Sequence, residues 1–120
     1  MQALFLVLHK VEKLDDLLAA LQKSGINGGT IIESKGMLNT LKSNDNFIIE
    51  SLRIFLEDPR ETSKTLFFIL KNEDVEKVTE IIIKTSRTSD EGSFGDGKIF
   101  IYKLDNVIRV RTGDEGEKAL

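Results

Sequence analysis

The residues best suited to chemistry lie in the last quarter of the chain. Gly95-Asp96-Gly97-Lys98 leads into the apolar run Ile99-Phe100-Ile101-Tyr102, and Val107-Ile108-Arg109-Val110-Arg111-Thr112-Gly113 follows. The glycines allow φ > 0 and close backbone approach, so consecutive N–H groups can converge on one concavity. Lys98 sets a cation at its edge. Arg109 and Arg111 stand two apart, so an extended backbone would project both heads from one face, with Ile108 and Val110 on the other. Backbone N–H groups, an ammonium and two forked guanidiniums are the donors that hold a phosphate. The same residues could equally make a solvated hairpin tip and a charged strand edge. Gly-Asp-Gly-Lys is not a Walker A loop, which needs Gly-x-x-x-x-Gly-Lys-Ser/Thr opening a helix.

Other chemistries have too few parts. There is no cysteine and one histidine, His9 at a strand end, so neither thiolate metal sites nor a hydrolytic triad can be assembled. Asp90, Glu91 and Asp96 could hold magnesium beside a phosphate, but no general base with a positioned water is evident. We expect no catalytic residue, no resident metal and no enzyme activity. The net charge of −3 argues against broad nucleic-acid binding, so an anion site must be local. The absence of cysteine fits a reducing, cytoplasmic setting. The apolar run near Met1 is too short to span a membrane and lacks a basic leader, so no membrane insertion is expected.

Behind these residues stand the elements that must position them. One hundred and twenty residues make a single domain, 1–120. Leu4–Leu8 reads as a strand buried on both faces. Val11, Leu14, Leu17, Leu18 and Leu21 recur at helical spacing, and Gly25 stops that helix. Thr30–Ser34 and Thr65–Leu70 read as strands, and Asn72 as the cap of a second helix with Val75, Val78, Ile81 and Ile82 inward. A fourth strand begins at Lys98. Strand–helix–strand twice over predicts an α+β, ferredoxin-like βαβ–βαβ fold: a four-stranded antiparallel sheet with both helices on one face.

Two segments fall outside this scheme. An insert at about 37–63 holds Ile48, Ile49, Leu52, Phe55 and Leu56 at helical spacing behind Asn44 or Asp45, and reads as a helix that plugs a sheet face or an interface, the alternative being a moving effector loop. The polar segment at about 85–97 reads as a loop that is mobile until a ligand orders it. A C-terminal segment, 105–120, completes the chain.

The blocks Ile81-Ile82-Ile83-Lys84-Thr85, Gly95–Phe100 and Val107–Gly113 closely resemble the C-terminal signature of the PII signal-transduction proteins. Lys13-Leu14-Asp15-Asp16, Gly25–Thr30 and Lys35-Gly36 are similar to the first helix and the turn before the family's T-loop. The likeness spans about three quarters of the chain. It implies a cytoplasmic homotrimer that binds an adenine nucleotide (ATP, ADP or AMP, with or without magnesium) in clefts between subunits, with no other cofactor. Gly95, Asp96, Gly97 and Lys98 would match the B-loop around the phosphates. Arg109 and Arg111 would match the C-loop arginines that reach them from the neighbouring subunit, and Gly28, Gly29 and Thr30 would lie near the adenine. The resemblance further implies nitrogen regulation and signal transduction through a transporter or metabolic enzyme.

The chain also departs from the family pattern. Its only tyrosine, Tyr102, is in a strand rather than in the T-loop, and Thr40 and Thr62 replace a glutamine and a lysine that help hold 2-oxoglutarate. Asn39 and Lys64 are out of register for those roles. We therefore expect neither uridylylation nor 2-oxoglutarate sensing. Among other readings, an amino-acid-binding module of the ACT type leaves Lys98, Arg109 and Arg111 unexplained, and a CutA-like trimer lacks metal ligands. An acylphosphatase needs an arginine after the first strand, and the first arginine is Arg53. Single-stranded RNA binding lacks exposed aromatic pairs on the strands.

Overall fold

The computed structural model describes residues 1–37, 62–93 and 95–120. In that part the chain forms β1 (Gln2–Leu8), α1 (Leu14–Lys23), β2 (Thr30–Ser34), β3 (Ser63–Leu70), α2 (Asn72–Ser86) and β4 (Lys98–Lys103). The sheet order is β2-β3-β1-β4, with every pairing antiparallel. This is the expected ferredoxin-like α+β arrangement. The helix foreseen between Asn44 and Glu57 lies outside the described residues, as do Asn39 and Thr40.

The apolar spacing of the helices decides the layering. Leu17 and Leu21 of α1 and Val78 and Ile82 of α2 are buried against Leu4, Leu6 and Leu8 of β1 and Leu66, Phe68 and Leu70 of β3. These strand residues alternate, so they share the face beneath the helices. Leu14, Leu18, Val75 and Ile81 pack at the margin of that core. Helix α1 ends in a Schellman motif: Ile26 N–H donates to Leu21 O and Gly25 N–H to Gln22 O, both at 3.0 Å. Gly25 takes φ of 86°, which a residue with Cβ resists.

Several local expectations need correction. Strand β1 is not buried on both faces; Phe5 and Val7 are only half-buried on the face away from the helices. On that open face Phe5 stacks on Phe67 with centroids 4.5 Å apart, and Tyr102 meets Phe5 edge-on at 5.9 Å. The strands thus do carry an accessible aromatic cluster, because alternation sends Phe67 outward and only Phe68 inward. Asn72 is the first residue inside α2 rather than its cap, which is Lys71, and the Asn72 side chain instead accepts from Gln2 Nε2 at 3.3 Å. Strand β3 starts two residues earlier than the apolar run suggests. Ser34 Oγ lies 2.8 Å from both Ser63 Oγ and Thr65 Oγ1, and this hydroxyl ladder continues the β2–β3 pairing past the apolar residues. An ion pair between Glu33 and Lys64 borders it.

Candidate anion-binding site

The loop between α2 and β4 is built around a carboxylate. Helix α2 runs through Thr85 and Ser86, so the loop starts at Arg87, later than its polar composition suggests. Asp96 accepts from Ser93 N–H at 2.7 Å and Thr88 N–H at 3.4 Å, and from the Thr88 and Ser93 hydroxyls at 3.2 Å each. Partial burial, the largest single influence, pushes the Asp96 carboxyl up. The bonds from Ser93 and Thr88 together outweigh it and hold the group below its usual range. Arg87 Nη1 adds a bond to Asp90 O at 3.1 Å. These bonds link the two ends of the loop through one side chain. Asp96 acts here as that tie.

The glycines bring the end of this loop onto the sheet. Gly95 and Gly97 have φ of 84° and 135°, and a Cβ on Gly97 would lie 2.6 Å from Val7 O. Only glycine allows the backbone to pass so close to β1. Lys98 then opens β4 opposite Val7, on the face of Phe100 and Tyr102, and its ammonium has no partner among the described residues. Beneath the loop, on the helix side, lies a cleft of about 630 Å³ floored by Leu6, Ile82 and Ile99 and bordered by Ser86 and Arg87. Ser86 is 5% exposed and its hydroxyl has no hydrogen-bond partner among the described residues.

The arginines lie elsewhere. Residues 107–116 fold into a short hairpin with a single bridge, Ile108 to Glu115, rather than the extended strand that two-apart spacing suggests. Arg109 N–H donates to Asp114 O at 2.9 Å and Gly113 N–H to Arg109 O at 2.7 Å, closing a tight turn with Gly113 at φ of 74°. The extended alternation expected to set Arg109 and Arg111 on one face is therefore not the backbone found here. Arg111 sits exposed in the turn with no partner among the described residues. The half-buried Arg109 donates from Nε and Nη2 to Ala119 O at 3.3 and 3.2 Å, and from Nη2 to Leu120 O at 2.7 Å.

The third group, Gly28, Gly29 and Thr30, leads into β2. A Cβ on Gly29 would meet the buried Phe68 ring at 2.7 and 2.9 Å, so this position is closed to any side chain, while Gly28 faces open space. Together with Phe67, Ala119 and Leu120 these residues line a hollow of about 380 Å³. The hairpin arginine and the Gly28–Thr30 turn are thus neighbours on the β2 edge. Gly95–Lys98 leads into β4 at the opposite edge, three inter-strand spacings or roughly 14 Å across the sheet. One chain places these two groups at opposite edges of the sheet and does not bring them together. The roles of Asp96 as loop tie, Ser86 as an orphan hydroxyl, and Ala119 and Leu120 as partners of Arg109 carry no pattern in the sequence, because each depends on a contact across a turn.

A family model described as nitrogen regulatory protein P-II matches residues 3–114. The chain is 39% identical over 110 residues to nitrogen regulatory protein P-II 2 of Methanothermobacter thermautotrophicus, covering 91% of this chain and 89% of that protein. It is 36% identical over 108 residues to nitrogen regulatory protein P-II of Pyropia yezoensis, covering 90% of each. Nitrogen regulatory protein P-II of Pasteurella multocida is 32% identical over 114 residues, again covering 90% of each.

Proposed function

The chain belongs to the nitrogen regulatory protein P-II family, and from that premise we propose that it is a regulatory protein that binds an adenine nucleotide between subunits and signals to a protein target. One observation carries this reading. The Gly95–Lys98 turn, with its uncommitted ammonium, and Arg109, beside Gly28–Thr30, lie on opposite edges of one sheet. Two copies placed edge to edge would set the phosphate donors of one against the base-sized hollow and guanidinium of the other. The donor set fits a polyphosphate: backbone N–H groups at positive-φ glycines, one ammonium and one guanidinium.

The open face of the sheet supports assembly with further copies. Phe100 and Tyr102 are 41% and 56% exposed beside the Phe5–Phe67 stack, and Ile32 is 50% exposed. Apolar surface of this kind is covered in a stable assembly, and a homotrimer is the family's form. Among the described residues no helix is long and apolar enough to cross a membrane, and we place the protein in the cytoplasm. Its target is a transporter or a metabolic enzyme. Uridylylation and 2-oxoglutarate sensing form no part of the proposal, since Tyr102 is in β4 and Lys64 is paired with Glu33. Nor does catalysis.

Calorimetric titration with ATP, ADP, AMP and 2-oxoglutarate, each with and without magnesium, tests the reading. Saturable binding of one nucleotide per chain, by a trimer in analytical ultracentrifugation, is expected. Failure of every nucleotide to bind would exclude it.

A further inference from the structure

The hairpin that carries Arg109 is backed by the last turn of the chain. Residues Gly116–Ala119 form a 3-10 turn with none of its residues buried, so it adds nothing to the core. It is nevertheless anchored at its start. Gly116 N–H lies 3.0 Å from Val107 O and 3.2 Å from Asn106 Oδ1, and Asn106 Nδ2 donates to Glu115 Oε2 at 3.0 Å. Leu120 N–H closes the turn on Glu117 O at 3.2 Å. None of these bonds involves the Arg109 side chain, so the turn has a place of its own and the guanidinium docks onto it.

The docking uses one side of the guanidinium. Of its five N–H donors, Nε–H and the Nη2 group face Ala119 O and Leu120 O. The Nη1 group has no partner among the described residues. Ala119 and Leu120 also wall the hollow that holds Gly28, Gly29 and Thr30.

We propose that the turn Gly116–Leu120 is a functional part of the nucleotide site, in which the main-chain oxygens of Ala119 and Leu120 are positioning groups that hold Arg109 with its Nη1 edge towards the phosphates. This inference rests on the nucleotide reading above. An arginine already fixed in its binding rotamer loses little freedom when the ligand arrives, which strengthens binding without any added contact to the ligand.

The test compares the full chain with a variant lacking Lys118–Leu120 and with full-length Gly116→Pro. Proline cannot adopt the φ of 66° at that position and removes the N–H that anchors the turn. Both variants should bind ATP about three- to tenfold more weakly, matching one side chain to be immobilised. Their urea midpoints should stay near that of the parent. The Arg109 Nε–H resonance should be slow to exchange with water in the parent without ligand and fast in both variants. In an Arg109→Ala background the deletion should have no further effect. Lys118→Ala should bind as the parent does, separating the lost lysine charge from the lost main-chain acceptors. Unchanged affinity in both variants overturns the inference and leaves nucleotide binding standing. Tighter binding also overturns it, since the turn would then block the site. If the full chain binds no nucleotide, the reading beneath it falls and the inference with it.

Discussion

A Cβ placed on Gly97 would stand 2.6 Å from the carbonyl oxygen of Val7, closer than carbon and oxygen approach without bonding. The loop that follows α2 can therefore join β4 only where a residue has no side chain, and the contact is to backbone, which cannot rotate away. Gly97→Ala should destabilise the protein by about 1–3 kcal/mol from its φ of 135° alone, and by more from the clash. Gly113→Ala is the control, because its φ is 74° and no atom lies within 4 Å of its Cβ position. Urea denaturation should rank Gly97→Ala clearly below Gly113→Ala. Equal midpoints would mean that the close approach does not constrain the loop.

Binding should depend on the cations at both edges of the sheet. Lys98→Ala and Arg109→Ala are each expected to weaken nucleotide affinity by about 1.5–3 kcal/mol, the usual range for a hydrogen bond to a charged group. Adenosine, which has no phosphate, should lose much less. Titration calorimetry with ATP and adenosine reads the difference, and no change for ATP in either variant would remove the phosphate assignment.

The Asp96 tie has a definite pH signature. Its carboxyl is held below its ordinary value, so the carboxylate contributes loop stability above the unfolded value of about 3.9, and that contribution is lost as pH falls through the lower folded value. Hydrogen exchange at the Ser93 amide, which donates to Asp96 at 2.7 Å, should show constant protection from pH 7 to about 5 and loss of protection below about 4. Asp96→Asn should abolish that pH dependence. Protection that follows the same profile in the Asn variant would assign it to another group.

Ser86 offers a test on stability alone. A buried hydroxyl without a partner is unfavourable, since its bonds to water are lost and not replaced. Ser86→Ala should leave thermal stability unchanged or raise it slightly, aided by the higher helix propensity of alanine at the end of α2. A loss of more than about 1 kcal/mol in calorimetric unfolding would show that the hydroxyl has a structural partner after all.

Local chemistry was sufficient to identify most of the elements. The 3.6-residue recurrence of Leu14, Leu17, Leu18 and Leu21, the stop at Gly25 and the runs at Leu4–Leu8 and Thr65–Leu70 needed only neighbouring residues to be interpreted. The Gly95–Lys98 and Val107–Gly113 blocks also placed the chain in its family, because backbone-binding turns depend on residue type at fixed spacing. What the linear chain left open was every property that depends on residues distant in sequence. Whether Phe67 or Phe68 faced the helices was set by the register of β3 on β1. Arg109 and Arg111 flank a turn rather than alternate along a strand because Gly113 N–H and Asp114 O close on Arg109, which the local spacing cannot anticipate. The separation of Gly95–Lys98 from Gly28–Thr30 follows from the strand order β2-β3-β1-β4, since antiparallel pairing of the two βαβ units puts β2 and β4 at opposite edges. Sequence determined the donors, and tertiary structure decided which of them one chain can bring together.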